Sequence, residues 1–275
     1  MTETPRARPH RTPAETIQLA RRHTARTALV LALVGAIALG FAGFGVHEEM
    51  FPLDYGVRTL ATGWAPALAG LGAIMGGLAL LAGLLVPPRR DIVVSLLALA
   101  LGAGVLAVSA QVRAAAAANP PIHDVATDWA DPLMFGPALM AQRGADANGV
   151  EPDPRVQPQP QAPNLTGTPV AQVNALTCKG AAPLVLIGSV QSAYDKARAV
   201  LLREGLKLVT ENPAAGRIEA VAVTRWLRLK GDVLVRIKPE GSGARVDIRS
   251  VSRTGIIDLG ENCRRVTRLR AAIGR

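Results

Sequence analysis

The sequence predicts a three-helix transmembrane anchor followed by an α+β domain, and three observations lead to this fold class. Most of the apolar content of the 275-residue chain lies in residues 1–120, although only 3% of the residues are aromatic. Three uncharged runs in that part each approach the ~20 apolar residues that a bilayer-crossing helix needs. Residues 184–275 instead combine short β-type runs, turn residues and two amphipathic helical segments. A membrane pattern therefore precedes a soluble one.

The three apolar runs are residues 27–46, 65–86 and 92–112. Gly recurs in all of them, and the segment GLGAIMGG places small residues four apart in the second run. This spacing allows helices to approach closely, so it indicates a contact face through which other membrane proteins are candidate partners. A cleaved signal peptide is the alternative for the first run. It is disfavoured because the run is long for such a peptide and has no clear A-x-A site.

Charges that flank the spans predict their orientation. The residues before the first run are basic, and so is the PPRRD turn after the second run. The loop between the first and second runs instead carries Glu48, Glu49 and Asp54 against one arginine. Basic flanks remain in the cytoplasm, so we expect a cytoplasmic N-terminus and an extracytoplasmic C-terminal part at the bacterial inner membrane. The net charge of +10 therefore reflects topology and does not indicate a nucleic-acid partner. The basic residues are Arg6, Arg8, Arg11, Arg21, Arg22, Arg26, Arg89 and Arg90.

The chain outside the spans divides into four predicted parts. Residues 1–26 form a basic cytoplasmic tail. Residues 113–141 form an extracytoplasmic docking segment, because apolar residues recur in it at intervals. Residues 142–183 are rich in Pro and Gln, which predicts an extended connector that cannot bury a core. Residues 184–275 are long enough for one small core and form the α+β domain.

The α+β domain is predicted to have the order β-α-β-β-β-β-α, an antiparallel sheet of four to five strands with two helices on one face. Ser192 and Asp195 match the capping-box pattern at the start of the first helix. Alternation along the strands places Ile218, Val233 and Ile248 on the face that we expect to be buried.

The opposite face of the sheet is predicted to carry a row of charges. A tight turn at residues 230–231 would place Arg225 directly opposite Arg236, which is unfavourable unless an acid or a ligand bridges them. One register of the last hairpin adds Asp247 to this row, and a tighter hairpin would place Arg245 there instead. The sequence favours neither register.

The two cysteines, Cys178 and Cys263, both lie beyond the spans. An oxidising compartment permits a disulfide between them, and two separate buried thiols are the alternative, because spacing does not determine pairing. The sequence contains no CxxC or His/Cys cluster. We therefore predict no metal and no cofactor.

The stretch RSVSRTGIIDLGEN concentrates polar chemistry at the end of the last strand. In a structural interpretation it is a strand-to-helix corner. Arg253 and Asp258 would pair across it, while Gly255 and Gly260 supply the turn geometry. Asn262, or Gly260 with Glu261, would then cap the last helix and satisfy its free amide groups.

A functional interpretation uses the same stretch as an anion-binding site. Arg249 and Arg253 would lie beside a helix N-terminus, together with the hydroxyls of Ser250 and Ser252 and the amide of Asn262. The candidate ligands are phospholipid headgroups and acidic envelope glycans.

This stretch, preceded by GRIEAVAVTRWLRLKGDVLVRIKP, resembles the bacterial and plastid family called domain of unknown function 1499. The resemblance covers residues 184–273, and PPIHDVATDWADP is similar to a segment of the longer, membrane-anchored members. Its strongest element is R-S-x-S-R-x-G-x-x-D-x-G-x-N-x-x-R. The chain departs from the family at Gly231 and Asp232, where two adjacent acids are common, and at Cys263, where small or basic residues are usual. The resemblance implies the fold and an envelope context, and it implies no established activity.

The leading functional hypothesis is a non-enzymatic membrane protein whose outer domain binds a partner or an anionic ligand. A serine nucleophile needs a base, and only one histidine, His123, lies beyond the spans. The second hypothesis is a metal-dependent hydrolase that uses His123, Asp124 and Asp128. The third is a structural subunit of a membrane complex.

Overall fold

A computed structural model describes residues 12–159 and 162–275, and within them the chain forms two compact units. The first unit comprises residues 12–43 and 57–113, and the second comprises residues 44–56 and 114–275. Arg6, Arg8 and Arg11 of the predicted basic tail lie outside the described residues.

Three long helices account for the predicted membrane spans, and each is long and apolar enough to cross a membrane. They are α1 (Pro13–His47), α2 (Ala65–Leu85) and α3 (Ile92–Ala118), and a π-helix at Tyr55–Trp64 leads directly into α2. The three long apolar helices predicted from the sequence are therefore confirmed, and their length and composition indicate membrane association.

The first helix begins well before the apolar run, so much of the predicted tail is helical. Thr12 and Glu15 form a capping box, in which the Glu15 carboxylate accepts from the Thr12 amide at 2.9 Å and the Thr12 hydroxyl accepts from the Glu15 amide at 3.3 Å. Pro13 occupies the first helical position, where its missing N–H is not needed. This start signal explains the difference from the predicted boundary.

Glycines of the spans mediate contacts between helices of the first unit. A Cβ atom added at Gly72 would lie 2.7 Å from the Ala28 carbonyl oxygen, and one added at Gly76 would lie 3.0 Å from the Ala98 Cβ. These two positions belong to the GLGAIMGG segment, so its small residues allow α2 to approach both neighbouring helices closely. Added Cβ atoms at Gly40 and Gly104 would meet no described atom within 4 Å.

The second unit contains a six-stranded antiparallel sheet, which confirms the α+β class predicted for this part of the chain. Five strands follow the order β1-β6-β5-β4-β3, and β2 pairs with the remaining length of the same edge of β6. The strands are β1 (Asp124–Ala126), β2 (Leu184–Ile187), β3 (Lys207–Asn212), β4 (Arg217–Val223), β5 (Lys230–Glu240) and β6 (Gly243–Ser252).

Two helices cover one face of this sheet, as predicted. They are α6 (Val190–Arg203) and α7 (Glu261–Gly274), and the core beneath them contains the expected strand residues, including Ile218, Val233 and Ile248. The cap of α6 differs from the prediction, because the Ser189 hydroxyl accepts from the Ser192 amide at 3.1 Å. The helix consequently starts at Val190.

The predicted docking segment and connector are integral parts of the second unit. The docking segment supplies β1 and a one-turn helix, α4 (Pro137–Met140). The Pro-rich connector closes on itself through backbone hydrogen bonds, such as that from the Val156 amide to the Thr168 carbonyl at 2.9 Å. Val156 and Val170 then join the core, so the prediction of an extended connector without a core is wrong. The connector also contains a 3-10 turn (Pro163–Leu165) and helix α5 (Val170–Thr177).

Cys178, directly after α5, forms a disulfide with Cys263 of α7, and their Cα atoms are 5.7 Å apart. The bond links the connector to the last helix. Cys178 itself is buried in the main core.

The connection between β4 and β5 is longer than the predicted tight turn. Residues 224–229 form a loop, in which the Thr224 hydroxyl accepts from the Leu229 amide at 2.9 Å. Arg225 therefore lies in the loop, and Arg236 pairs in register with Arg217 on β4 and with Asp247 on β6. The predicted opposition of Arg225 and Arg236 is wrong, whereas the register that places Asp247 beside Arg236 is the observed one.

Candidate functional site

The second face of the sheet is buried beneath residues 128–151. Leu133, Phe135 and Leu139 of that segment pack against Leu234 of β5 and Val251 of β6 and form a small second core. Arg236, Asp247 and Arg249 of this face are consequently buried, so each requires a partner.

Arg249 is the largest fully buried side chain of this face. Its Nε and Nη2 atoms donate to the two carboxylate oxygens of Asp124 at 3.0 and 2.5 Å. The remaining donors reach the carbonyl oxygens of Leu133 and Glu151 at 2.8 and 2.7 Å, and the guanidinium lies 5.3 Å from the centre of the Trp129 ring. Arg249 thus fixes the docking segment on the sheet and is saturated by groups of the protein itself.

The predicted charge row forms a closed network with the docking segment. Arg236 donates to Asp247 at 3.0 Å and to Asp128 at 3.2 Å. Arg245 donates to the same two carboxylates, at 3.0 Å to Asp247 and 2.7 Å to Asp128. Two arginines therefore face two largely buried aspartates, an arrangement that balances the buried charge, and Arg236 also pairs with the exposed Asp131 at 3.2 Å. Arg225 is not a member of this network.

Ser250, Ser252 and Asn262 form a separate network on the helix-covered side. The Ser250 hydroxyl donates to Asn262 Oδ1 at 2.7 Å, and Asn262 Nδ2 donates to the Ser252 hydroxyl at 2.9 Å and to the His123 carbonyl at 2.8 Å. Arg265 also donates to Ser250, at 3.1 Å. These bonds connect β6, α7 and the chain before β1.

Strand alternation explains why the five residues suggested as an anion site do not converge. Successive side chains of a strand point to opposite faces, and β6 continues through Ser252. Arg249 therefore lies on the face covered by the docking segment, and Ser250 and Ser252 lie on the other face.

The strand-to-helix corner is held by Asp258. Its two oxygens accept from the Gly260 amide and the Asn262 amide, each at 2.8 Å, so that Asp258 caps α7 in place of Asn262. Burial raises the pKa of this carboxyl, and the hydrogen bonds oppose that shift. Gly255 and Gly260 have φ values of +84° and +78°, which glycine adopts readily. The predicted pairing of Asp258 with Arg253 does not occur.

Arg253 instead shares one buried carboxylate with a second arginine. Its Nε and Nη2 atoms donate to Asp232 Oδ1 at 2.9 and 2.7 Å, while Arg143 Nη1 contacts Asp232 Oδ2. The Asp232 side chain is completely buried, and those of Arg143 and Arg253 are 4% and 11% exposed. Burial lowers the pKa of Arg143, as does the charge of Arg253, whereas Asp232 raises it. Two cations against one carboxylate leave an excess positive charge.

A groove with a volume of about 700 Å³ lies beside this cluster, and we call it the Arg253 groove. Four segments of the second unit contribute its lining: residues 46–53, 142–147, 227–230 and 253–255. The apolar part of the lining comes mainly from the segment that follows α1 and from the end of the loop between β4 and β5. The lining residues with apolar side chains include Val46, Met50, Phe51, Leu53, Leu227 and Leu229.

The charged residues of the Arg253 groove include three cations, Arg228, Lys230 and Arg253, and two acids, Glu49 and Asp146. Lys230 and Glu49 form an exposed ion pair at 2.8 Å. Arg228 makes no ion pair with a carboxylate among the described residues. Sequence reasoning missed this groove because its walls come from four distant segments. The only sequence signal was the unusual Gly-Asp pair that includes Asp232.

The residues of the hydrolase hypothesis are used for other contacts. Asp124 pairs with Arg249, Asp128 belongs to the charge network, and burial lowers the pKa of His123. In the part of the chain that the structure describes, no three His, Cys, Asp or Glu residues form a group that could hold a metal ion.

Comparison with known families identifies a match for the second unit. The model of a family described as protein of unknown function (DUF1499) matches residues 124–273. The matched region begins at β1 and ends in α7, so it includes most of the docking segment and the whole connector as well as the strands that follow. A comparison with curated proteins finds no match to this chain.

Proposed function

The chain belongs to the DUF1499 family of proteins of unknown function, and from this premise we propose that it is a membrane-anchored, non-catalytic binding protein. Its second unit binds an anionic ligand, which is a phospholipid headgroup or an acidic envelope glycan, in the Arg253 groove. Both ligands present phosphate or carboxylate oxygens to the protein, and arginine recognises these oxygens well.

The excess charge of the Arg143–Asp232–Arg253 cluster is the observation that carries this proposal. A buried positive charge without a full complement of acid is costly, and an anion in the adjacent groove would lower that cost. Arg253 lines the groove, and Arg228 is available there for a second charge-assisted hydrogen bond. The anion site suggested by the sequence thus moves from the Arg249–Ser252 region to the groove, and Arg253 is the residue common to both.

The proposed compartment is the outer side of the bacterial inner membrane. The disulfide between Cys178 and Cys263 supports it, because disulfides persist in oxidising compartments. The basic residues before the first span and in the PPRRD turn support a cytoplasmic N-terminus. A membrane-impermeant maleimide tests this orientation on the reduced protein in intact cells. We expect the maleimide to label Cys178 and Cys263 only after the outer membrane has been permeabilised, while the inner membrane stays intact.

The ligand is tested with the full chain in detergent. Native mass spectrometry would compare retention of phosphatidylglycerol, phosphatidylcholine and an oligogalacturonate, which represent an anionic lipid, a zwitterionic lipid and an acidic glycan. Arg228→Gln removes a donor to the anion, and we expect it to weaken retention of the preferred anion about tenfold, since a hydrogen bond to a charged group contributes about 1.5–3 kcal/mol.

Arg203→Gln is the matched control, because Arg203 is exposed on α6 and does not line the groove. We expect it to leave anion retention unchanged. Equal retention of all three probes would overturn the proposal, as would an Arg228→Gln variant that retains anions like the wild-type protein.

A further inference from the structure

Trp226 is the most exposed aromatic side chain among the described residues of the second unit, with 80% of its surface accessible. It lies in the loop of residues 224–229, which we call the Trp226 loop. Val223, directly before the loop, is also more than half exposed. Scattered apolar residues are common on protein surfaces. Exposure of most of a tryptophan ring to water is nevertheless unfavourable, so a partner that covers the ring would lower the free energy.

Hydrogen bonds hold the Trp226 loop in this conformation. The Thr224 amide donates to the Leu229 carbonyl at 3.0 Å, and the Leu229 amide donates to the Thr224 hydroxyl at 2.9 Å. The Arg228 amide donates to the Thr224 carbonyl at 3.1 Å, and Arg228 has a φ of +51°, which is rare for a residue with a side chain. The loop therefore presents Trp226 from a defined turn.

The loop is also bonded to the residue at which the first membrane-crossing helix ends. His47 Nδ1 lies 2.7 Å from the Trp226 carbonyl oxygen and donates to it in the tautomer that carries a proton there. His47 is the last residue of α1 and directly follows the apolar run that ends at Val46. The end of such a run lies at the membrane–water interface. A hydrogen bond to His47 therefore places the Trp226 loop close to that interface.

The chemistry of the loop matches an interface of this kind. Tryptophan combines a large apolar ring with one polar N–H, and it is enriched at membrane interfaces for this reason. The Arg225 guanidinium lies 5.7 Å from the centre of the Trp226 ring, and Arg228 provides a second cation. Arginines pair with lipid phosphates, and basic residues near an anionic surface are attracted to it.

We propose that the Trp226 loop inserts into the headgroup region of the leaflet at which α1 ends. The Trp226 ring lies among the headgroups and the upper acyl chains, and Arg225 faces phosphate oxygens. Met50, in the segment after α1, lines the Arg253 groove together with Leu227 of the loop; it is 58% exposed and extends the same contact. The loop is thus an additional membrane contact of the second unit. It does not require a ligand in the Arg253 groove.

Fluorescence of Trp226 tests this inference in proteoliposomes that contain the full chain. The chain has three tryptophans, so Trp64→Phe and Trp129→Phe leave Trp226 as the only emitter. In phosphatidylcholine vesicles with or without phosphatidylglycerol, we expect a blue-shifted emission. Lipids brominated near the top of the acyl chain should quench most of it, and aqueous iodide should quench little. Circular dichroism and the oxidised state of the two cysteines verify that the variant is folded.

A matched control places the single tryptophan elsewhere on the second unit. Ile187 of β2 is fully exposed. Adding Ile187→Trp and Trp226→Phe to the Trp64→Phe, Trp129→Phe variant therefore leaves one tryptophan, which lies on the surface outside the Trp226 loop. We expect iodide to quench it and brominated lipid to leave it unchanged. Trp226 emission that behaves like this control would overturn the proposal.

Trp226 emission that neither quencher reaches would also overturn it, because another protein chain would then cover the loop. The readout reports the depth of one side chain and not lipid retention. Failure of the loop proposal and failure of the groove proposal are therefore distinguishable.

Discussion

Arg249 and Asp124 are 125 positions apart in the sequence and form a bidentate ion pair that is closed to solvent. The pair joins strand β6 to the docking segment, which supplies strand β1. Removal of one partner leaves an uncompensated buried charge, which costs about 3–5 kcal/mol, whereas replacement of both by apolar residues is often tolerated.

Arg249→Met should therefore destabilise the second unit strongly, by about 3–5 kcal/mol. The double variant Arg249→Met, Asp124→Leu should recover much of that loss. Thermal unfolding of the full chain in detergent, followed by near-UV circular dichroism, measures both effects. A double variant that is less stable than Arg249→Met alone would show that the ion pair does not account for the effect.

The disulfide between Cys178 and Cys263 closes a loop with a sequence separation of 85 residues. Restriction of the unfolded chain by a loop of this length contributes about 4–5 kcal/mol in the chain-entropy model. Cys178→Ser should lower the unfolding temperature of the second unit, and dithiothreitol should have the same effect on the wild-type protein. The double variant Cys178→Ser, Cys263→Ser is the control, because dithiothreitol should not change its unfolding temperature.

His123 should make the stability of the second unit dependent on pH. Burial lowers the pKa of its imidazole, so the unfolded chain binds the proton more readily. The stability that this group contributes is present above the unfolded pKa of about 6.5 and is lost as the pH falls through the folded value. His123→Gln should remove this dependence between about pH 7 and pH 5.

Asp258 changes the stability of the second unit with pH in the opposite sense. Burial raises the pKa of this carboxyl, so the stability that it contributes is lost as the pH rises. The relevant quantity is therefore the difference between His123→Gln and the wild-type protein in unfolding free energy at each pH. A difference that does not change over this range would contradict the assignment to His123.

Two glycines of α3 form a matched pair for the packing of the helical unit. A Cβ atom added at Gly102 would lie 2.5 Å from the Ala69 carbonyl oxygen and 2.7 Å from the Ala73 Cβ, whereas one added at Gly104 would meet no described atom within 4 Å. Gly102→Val should destabilise the bundle by about 1–3 kcal/mol, as overpacked substitutions do. Gly104→Val should have little effect. Thermal unfolding in detergent by far-UV circular dichroism distinguishes them, and equal effects would exclude close packing at Gly102 as the cause.

The spans and the helix-covered face of the sheet follow directly from local patterns. Apolar runs of sufficient length predict membrane helices without knowledge of tertiary contacts. Alternation in β4, β5 and β6 likewise places Ile218, Val233 and Ile248 in the core. Both signals depend only on residues that are close together in the sequence.

The second face of the sheet depends on contacts between distant segments, and sequence patterns miss these contacts. Arg249 and Arg253 looked like available cations because Asp124 and Asp232 lie far from them in the chain. Alternation alone separates Ser250 from Arg249, so that part of the anion hypothesis was testable from the sequence. The partners of the two arginines could not be predicted in this way, because they lie in other segments of the chain.

The neutralisation of the sheet arginines by the docking segment determines where an autonomous folding unit can begin. A fragment that starts at residue 184 keeps Arg236, Arg245 and Arg249 but loses Asp124 and Asp128, as well as β1. Its buried arginines would outnumber their carboxylates, and one edge of β6 would lie partly open to other chains. The matched family region begins at Asp124, so it includes this strand and its acid.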